Sequence, residues 1–406
     1  MKLLVSAYAC EPGKGSEPAV GWNWVLALVR RGWQVHVITR SNNREVIEKD
    51  AASRNPALWF HYYDLPRWAR AGKRWPGGIY AYYLFWQVGA YRLAKRLHAV
   101  ERFDRVHHVT FASYRQPSFM GGLGVPFIFG PVGGGESMPT QLSQSLSPGS
   151  RFAEMARNLG NALIGLDPLM RSTFSRAQRI ACTTAETMAR IPARYRAKCV
   201  VQPAIAIDES EIQKPSCDEP MAPHFLFVGR LLYWKGLHLA FRALAQARRS
   251  IPGVRLKIIG TGDDRAWLER QARACGVQDL LDWIPSTPHA EIAREFRQSL
   301  ALVFPSLHDS GGMVVLEAFA VGLPVVCLDL GGPGHLARPD CAIVIPARQA
   351  GESAVIDGLA QAMIRLATDP LFRAQLADNA INRAKQLTWD RAAENLYASV
   401  DSPPRP

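Results

Sequence analysis

The segment "LALVFPSLHDSGGMVVLEAFAVGLPVVCLD", residues 300–329, contains the clearest indication of the fold class. Two short apolar runs, at 300–306 and 324–329, flank a segment that we expect to form a helix from near Gly312 to about Gly322. Short apolar runs that alternate with helices are typical of parallel sheets, whose strands are buried on both faces. The segment therefore predicts one strand–helix–strand unit of an α/β protein.

The same alternation continues on both sides of this unit. Strands are expected at "KLLVSAY", "QVHVIT", "LWFHYY", "DRVHHVT", "PFIFG", "RIACTT" and "CVVQP", and again at "FLFVGR", "RLKIIG", "LALVFPS", "PVVCLD" and "AIVIP". Between the two groups, residues 208–223 are acidic, rich in proline and aperiodic, as in a linker. We therefore predict two Rossmann-like domains, residues 1–205 and 206–386. Because ligands bind at the carboxyl ends of such strands, both sheets are expected to face a central cleft.

The composition is that of a globular protein with more than one core. The chain has 406 residues, of which 48% are apolar and 20% are charged. Its seven cysteines form no CxxC pair, which favours a reducing compartment and indicates neither a disulfide framework nor a zinc site. The opening "MKLLVSAYAC" turns polar too soon for a signal peptide, so a cytoplasmic protein is expected.

The net charge of +13 suits nucleic acid, an anionic membrane surface or phosphorylated ligands. Nucleic acid is not expected as a partner, because the sequence has no zinc-finger spacing, RNP-like aromatic signature or basic recognition helix. The charge is most concentrated in residues 66–102, which contain Arg67, Arg70, Lys73, Arg74, Arg92, Lys95, Arg96 and Arg102.

These basic residues enclose the uncharged stretch "WPGGIYAYYLFWQVGAY", which is too short and too interrupted to span a bilayer. Two interpretations stay open. The stretch is either a core helix of the first domain or part of an aromatic and basic surface that rests on anionic lipid.

The helix expected from Gly312 has the features of an anion site. A helix N-terminus presents unpaired N–H groups and the positive end of a dipole, and Gly311 and Gly312 let an anion approach the backbone. Glu317 lies about 5–8 Å further along the helix at 1.5 Å per residue, roughly the span from a diphosphate to a ribose. The helix therefore suits a nucleotide, although Glu317 in an ordinary helix would merely pair with a cation.

Two further strand-end loops support a phosphate site. In "FLFVGRLLYWKGL", Arg230 and Lys235 follow a strand within one glycine-flanked loop that includes Gly229, and two such cations suit a diphosphate. The alternative interpretation is a solvated basic turn without a ligand. The loop "IIGTGDD" adds Gly260 and Gly262 after the next strand, a pattern that is weak when taken alone.

Taken in order, "GRLLYWKG", "IIGTGDD" and "PSLHDSGGMVVLEAFAVGLPVV" resemble the nucleotide-sugar half of glycosyltransferase family 4, the retaining enzymes with the GT-B fold. Asp309 and Glu317 match the spacing of that family's acid-x7-acid motif. The resemblance extends to "GKGSEPAVGWNWVLALVRRGWQVHVIT" and to "LTWDRAAENLYASV", which looks like the last helix of the fold. It implies that this helix, at about 387–402, packs back on the first domain.

The resemblance also implies roles for individual residues. Arg230 and Lys235 would hold the donor diphosphate, Asp309 would contact hydroxyls of the transferred sugar, and Glu317 would hold the ribose. The remaining donor contacts would come from the backbone, at Gly15, Gly229, Gly260, Gly262, Ile284, Gly311, Gly312, Met313 and Val314. Of these, Gly15 would lie near the β-phosphate, and Ile284 with Trp283 near the base.

This chain departs from the family pattern at the sugar-binding corner. Its first acid is the shorter Asp309, and Gly311 stands where an aromatic residue is common, so the donor sugar stays open. The family also places a histidine after a strand of the first domain. Here His108 is favoured over His107, although the usual position also aligns with Val109, and either histidine suits a purely structural role.

The implied reaction is a hexosyl transfer with retention that needs neither a metal nor a cofactor. Arg230, Lys235 and the helix N-terminus would stabilise the leaving diphosphate. Inversion stays open, because His108 would supply the base that it requires. The first domain would bind the acceptor, which we expect to be a lipid-linked glycan of exopolysaccharide, capsule or lipopolysaccharide assembly. The enzyme would then be peripheral on the inner face of the plasma membrane.

Three other classes compete with this interpretation. A dehydrogenase is disfavoured because the first loop, "ACEPGKGSEPAVG", lacks G-x-G-x-x-G and no acid ends the second strand. A nucleotide-sugar epimerase or phosphorylase would share the two-domain fold without a lipid acceptor. A catalytically inactive glycan-binding homologue is the third alternative, which the aspartate at position 309 makes conceivable.

Overall fold

The computed structural model describes residues 1–72, 77–213 and 223–401, and the chain divides into two compact units. The first unit contains residues 1–135 and 159–205 and the chain from Trp389 onward, and the second contains residues 136–158 and 206–388. We expected residues 136–158 in the first domain. They cluster instead with the second unit, because their side chains bond to it, as Ser145 does to Glu352.

The first unit is built on a parallel sheet. Within the described residues its seven strands are β1 (Lys2–Ala7), β2 (Gln34–Thr39), β3 (Leu58–Tyr62), β4 (Arg105–Thr110), β5 (Phe127–Val132), β6 (Arg179–Cys182) and β7 (Cys199–Val201). The order across the sheet is β3-β2-β1-β4-β5-β6-β7. The apolar runs predicted all seven, because the central strands are buried on both faces and need no polar alternation.

Helices connect these strands. They are α1 (Glu17–Arg30), α2 (Arg44–Lys49), α3 (Arg67–Ala71), α4 (Gly78–Glu101), α5 (Pro148–Ala162), α6 (Pro168–Arg176) and α7 (Ala185–Arg190). Of α5, residues 148–158 belong to the second unit. The uncharged stretch of the basic region lies largely in α4. Tyr83 and Trp86 of this helix are buried in the core, whereas Phe85 is 64% exposed and Trp68, just before it in the chain, is 80% exposed. The core-helix interpretation therefore holds for the buried face of α4, and contact of the exposed side chains with lipid stays a prediction.

The second unit repeats the parallel arrangement. Its described strands are β8 (His224–Val228), β9 (Arg255–Ile259), β10 (Leu281–Ile284), β11 (Leu302–Phe304), β12 (Val325–Leu328) and β13 (Ala342–Ile345), in the order β10-β9-β8-β11-β12-β13. Strand β10 was not predicted. It is a short edge strand whose apolar run is interrupted by Asp282, and that carboxylate pairs with Arg255 on the neighbouring strand. The prediction of two Rossmann-like α/β domains is confirmed.

Seven described helices accompany this second sheet: α8 (Leu237–Ala247), α9 (Arg265–Ala274), α10 (His289–Gln298), α11 (Met313–Ala320), α12 (Gly331–Leu336), α13 (Glu352–Thr368) and α14 (Pro370–Gln386). Part of the expected linker belongs to this unit. Asp208 caps a turn at Glu209–Glu211, and the Gln213 amide donates to the Ala320 carbonyl at 2.8 Å. The rest of the expected linker, residues 214–222, lies outside the described residues.

The last described helix, α15 (Trp389–Asp401), belongs to the first unit, as the resemblance implied. Its Trp389 ring packs edge-on against Trp24 of α1, with ring centroids 6.2 Å apart. Its Tyr397 hydroxyl and the Nδ1 atom of His107 lie 2.9 Å apart. These contacts bury an aromatic face of α15 against the sheet and α1.

Candidate functional site

The loop after β8 carries both of the predicted cations. Arg230 is exposed at the strand end, and Lys235 ends a short turn, Tyr233–Lys235, that leads into α8. The Leu231 amide donates to Thr261 at 2.9 Å, and the Tyr233 amide donates to the Asp264 carboxylate at 2.8 Å. The "IIGTGDD" loop therefore holds the backbone of the cationic loop in place.

Glycine at position 260 is explained by this close approach. A Cβ atom there would lie 2.0 Å from the Gly229 carbonyl oxygen, closer than any side chain tolerates. The Gly260 amide also donates to the Ile284 carbonyl at 2.9 Å. The ends of β8, β9 and β10 thus form one connected rim, which includes the predicted positions Gly229, Gly260, Gly262 and Ile284.

Helix α11 begins where the sequence predicted. Gly312 caps its N-terminus in the left-handed conformation, with φ at 105°, and Val315 is the first residue whose amide bonds back to it, at 2.8 Å. The amides of Gly312, Met313 and Val314 precede that bond and have no carbonyl of the helix to bind. The helix start is therefore where the sequence analysis expected it, and the binding of an anion by these amides stays a prediction.

Lys235 and Asp309 meet directly. The Lys235 Nζ atom forms a hydrogen-bonded ion pair with Asp309 Oδ2, and both side chains are mostly buried. Ser306 donates a longer bond, of 3.3 Å, to the same Asp309 oxygen, and the Lys235 ammonium lies 4.9 Å from the Phe304 ring centre. The Gly332 amide fixes the Asp309 backbone through a bond of 2.7 Å to its carbonyl. A cation and a carboxylate are therefore held together beside the carboxyl ends of β8 and β11.

Glu317 faces a pocket of about 250 Å³ in the second unit. It is half-buried on α11, one helical turn beyond the amides at the N-terminus. The pocket is otherwise lined by Ile207, Ser210, Glu211, Gln213, Ile292, Ala293, Phe296, Ala320 and Val321. Apolar walls with a few polar groups suit a small organic ligand.

A buried carboxylate next to this site was missed by the sequence analysis. Glu154 of α5 accepts hydrogen bonds from the Tyr233 hydroxyl and from His308 Nε2, both at 2.8 Å and both at Oε1. The His308 ring stacks on Trp234, with centroids 5.5 Å apart and planes 21° apart. No spacing rule points to Glu154, because its partners lie 79 and 154 residues further along the chain.

The histidines of the first unit differ in their hydrogen bonding. His107 uses both ring nitrogens, Nδ1 with Tyr397 and Nε2 with the Gly130 carbonyl at 2.6 Å, so it has a structural role. His108 is also fully buried, with Nε2 3.3 Å from the Phe111 carbonyl and, among the described residues, no hydrogen-bond partner at Nδ1. Burial lowers the pKa of His108 to about 4, so the ring is neutral at pH 7. Its catalytic role stays a prediction.

The other predicted contact in the first unit is Gly15. It lies exposed in the loop between β1 and α1, where a Cβ atom would have no heavy atom of the described residues within 4 Å. Its proposed place near the β-phosphate stays a prediction. Across the described part of the chain, no cluster of three or more metal-ligating side chains occurs, and no helix is long and apolar enough to cross a bilayer.

Comparison with known proteins identifies the second unit. Residues 208–384 match the protein family described as "Glycosyl transferases group 1". The match covers the cationic loop, the rim glycines, the Lys235–Asp309 pair and α11. The chain therefore contains a glycosyltransferase group 1 domain.

Individual relatives agree with this assignment. A glycogen synthase of Mycobacterium tuberculosis is 40% identical over 110 residues, an alignment that spans 27% of this chain and 27% of the synthase. A D-inositol 3-phosphate glycosyltransferase of Actinosynnema mirum is 26% identical over 418 aligned positions, which cover 96% of this chain and 93% of that protein. The chain thus matches only a quarter of the synthase but nearly the whole of the second relative.

Among solved structures, Anabaena HepE in complex with UDP-glucose is similar to this chain with a TM-score of 0.59 and 15% identity, over 98% of this chain and 100% of HepE. A likeness at this identity concerns the fold. The chain has the GT-B fold with two parallel Rossmann-like sheets, and its second unit is similar to the glycosyltransferase group 1 family over residues 208–384. The narrower assignment to family 4 stays a prediction.

Proposed function

We propose that the protein transfers a hexosyl group, with retention, from a nucleoside diphosphate sugar to a lipid-linked glycan. The observation that carries this proposal is the Lys235–Asp309 pair beside the N-terminus of α11, within the group 1 domain. In this proposal the cation serves the phosphate, the carboxylate serves the sugar hydroxyls, and the first amides of α11 serve the anion.

In this proposal, the donor diphosphate lies against Arg230, Lys235 and the first amides of α11. Arg230 offers a fork of N–H donors, and Lys235 offers a compact charge. Glu317 accepts hydrogen bonds from the ribose hydroxyls. The fold likeness to HepE, which was solved with UDP-glucose, supports a nucleotide sugar as the donor.

The reaction breaks the bond between the anomeric carbon and the diphosphate oxygen, and it forms a bond from that carbon to an acceptor hydroxyl oxygen. The acceptor's proton passes to the departing phosphate oxygen. Cations and amides aimed at the growing negative charge on that oxygen lower the barrier, by about 3–4 kcal/mol for one well-placed donor. In this proposal they take the place of a metal ion.

Asp309 would exchange partners when the donor binds. Lys235 turns its charge to the phosphates, and the carboxylate then accepts hydrogen bonds from the hexose. A preformed pair keeps both groups in position before binding, which reduces the reorganisation needed at the moment of reaction.

The acceptor and the membrane are the second part of the proposal. Trp68, Tyr80 and Phe85 are exposed aromatic side chains in the basic region, and Arg70 lies exposed among them. Aromatic rings that insert at the interface and basic groups that attract anionic headgroups are the features of a peripheral contact. We therefore propose that this surface rests on an anionic bilayer, where a lipid-linked acceptor is found. Lys73 and Arg74, which belong to the same predicted cluster, lie outside the described residues.

The decisive experiment for the reaction is incubation with uridine, guanosine and adenosine diphosphate hexoses. Slow release of free hexose with the α-configuration, without an acceptor, is expected for one of these donors. No hydrolysis of any donor, together with no binding of any nucleoside diphosphate, would contradict the proposal. Release of hexose with the β-configuration would contradict retention but would leave the rest of the proposal intact.

The membrane part has its own test. Co-sedimentation with vesicles that contain phosphatidylglycerol is expected for the parent protein and should weaken in a Trp68→Ser, Phe85→Ser variant whose nucleotide affinity is unchanged. Absence of vesicle binding by the parent protein would remove the membrane partner and leave the donor chemistry intact.

A further inference from the structure

Glu154 joins the two loops that carry the Lys235–Asp309 pair. Tyr233 lies two residues before Lys235, and His308 lies immediately before Asp309. Both donate to the same Glu154 oxygen, at 2.8 Å each. One carboxylate on α5 thus holds the loop after β8 and the loop after β11 at a fixed separation.

The electrostatics of Glu154 agree with an ionised group. Burial favours its neutral form, but the hydrogen bonds from His308 and Tyr233 and the nearby charge of Arg157 outweigh burial, so that its pKa lies below the usual value. An ionised carboxylate only accepts hydrogen bonds, so His308 must carry its proton on Nε2. The tautomer of His308 and the rotation of the Tyr233 hydroxyl are therefore both set by Glu154.

This arrangement costs stability. The Glu154 side chain is only 6% exposed, and its second oxygen, Oε2, is buried without a hydrogen-bond partner among the described residues. Burying a carboxylate with half of its acceptors unused is unfavourable compared with an apolar side chain of similar volume. A role in holding the site loops explains why such a group is present at this position.

We propose that Glu154 is a positioning residue for glycosyl transfer, which acts through Tyr233 and His308 on the Lys235–Asp309 pair. This inference rests on the proposed function. The hydrogen bonds fix the His308 ring on Trp234, and these two residues directly adjoin Asp309 and Lys235 in the chain. A shift of either loop would misplace the cation relative to the carboxylate, and misplacement by about 1 Å reduces rates by about 100-fold in well-organised sites.

The hydrogen-bond geometry distinguishes positioning from a direct role of the charge. Both bonds go to Oε1, so Glu154→Gln keeps an acceptor for Tyr233 and His308, although neutral hydrogen bonds are weaker. Glu154→Ala removes the acceptor. If Glu154 acts by positioning, Glu154→Gln should retain most of the kcat that Glu154→Ala loses. If the negative charge itself is required, both variants should lose kcat equally.

Glu352 provides a matched control. It is also a buried carboxylate of the second unit, but its partners are Arg242 and Ser145, which lie outside the site loops. Glu352→Ala should also lower thermal stability, because it removes a buried carboxylate together with its ion pair to Arg242 and its hydrogen bond from Ser145. It should not lower the turnover number, and this contrast separates a general loss of stability from a loss of positioning.

The experiment measures kcat and KM for donor hydrolysis at a temperature where all variants are folded. Expected results are a fall in kcat of about 10- to 100-fold for Glu154→Ala, with KM changed less, a fall of only a few-fold for Glu154→Gln, and no fall for Glu352→Ala. If Glu154→Ala does not fold, Tyr233→Phe removes one of the two bonds and should lower kcat in the same way.

Three outcomes would overturn the inference. They are a Glu154→Ala variant with the kcat of the parent protein, a glutamine variant as inactive as the alanine variant, and a Glu352→Ala variant with an equal loss of kcat. If Glu154→Ala does not fold, an unchanged kcat in Tyr233→Phe overturns it. In all these cases the parent protein hydrolyses the donor, so the proposed function stands. A parent protein that neither binds nor hydrolyses any nucleotide sugar overturns the proposed function itself, and this inference with it.

Discussion

Lys235 and Asp309, which are 74 residues apart in the chain, form a direct ion pair. The resemblance assigned them to opposite ends of the donor, the lysine to the diphosphate and the aspartate to the sugar. The structure shows that they also contact and neutralise each other. Donor binding in our proposal therefore replaces one ion pair with two separate contacts.

Substitution of Asp309 should separate binding from transfer. In Asp309→Ala, the partly buried Lys235 loses its carboxylate, which costs stability, but it becomes fully available to phosphate. We expect the affinity for nucleoside diphosphates, measured by calorimetry, to be retained or increased, while donor turnover falls by about 100-fold or more. Loss of nucleotide binding together with turnover would contradict this assignment.

Glu317 should recognise the ribose and not the phosphates. Glu317→Ala is expected to weaken UDP binding by about 10- to 100-fold, because hydrogen bonds to a charged acceptor contribute about 1.5–3 kcal/mol. Inorganic pyrophosphate, which has no ribose, serves as the control ligand, and its affinity should not change. An equal loss of affinity for UDP and for pyrophosphate would show that Glu317 does not act on the ribose.

Gly236 is expected to be irreplaceable for steric reasons. Its φ is 73°, and an added Cβ would lie 2.0 Å from the Pro305 carbonyl oxygen. Gly253 has nearly the same φ, 74°, but an added Cβ there would have no atom of the described residues within 4 Å. Gly253→Ala should therefore cost only about 1–2 kcal/mol for the left-handed backbone, and Gly236→Ala clearly more. Equal losses in urea unfolding would refute the steric explanation.

Buried histidines should make the fold sensitive to mild acid. Burial lowers the pKa of His107 to about 3 and that of His108 to about 4, whereas an unfolded histidine titrates near 6.5. Between about pH 6.5 and 4 the unfolded chain therefore binds protons that the folded chain does not. The free energy of unfolding should therefore decrease as the pH is lowered through this range, by about 1.4 kcal/mol per pH unit for each such histidine.

Urea unfolding between pH 7.5 and 4.5 measures this slope. His108→Gln should lower this slope by the contribution of one proton, about 1.4 kcal/mol per pH unit, because the His108 ring would no longer titrate. A slope that is the same in the variant as in the parent protein would show that His108 takes up its proton in the folded state.

The sequence predicted the sheets because their strands are buried on both faces and read as continuous apolar runs. It also predicted the cationic loop and the start of α11, because both depend on adjacent residues, namely a strand end followed by glycines and charges. Strand β10 escaped notice because Asp282, whose partner Arg255 lies on another strand, breaks its apolar run.

The contacts around the site were harder to predict than its residues. The sequence placed Lys235 and Asp309 on separate loops but contained no signal that they would bond. Glu154 appears in the sequence as an ordinary helical carboxylate, and only the folded chain brings it to Tyr233 and His308. Such long-range pairs depend on the packing of whole elements, which local patterns do not determine.

In our proposal, the second unit binds a diphosphate with Lys235 and the N-terminus of α11. Calorimetric titration of uridine, guanosine and adenosine diphosphates into the parent protein, Lys235→Ala and Lys257→Ala tests it most directly. Lys257 is a matched control, because it also forms a partly buried ion pair in this unit, with Glu295. We predict tight binding of at least one diphosphate, a loss of about 30- to 100-fold in Lys235→Ala, and no loss in Lys257→Ala. Unchanged affinity in Lys235→Ala, or no binding of any diphosphate by the parent protein, would contradict the claim.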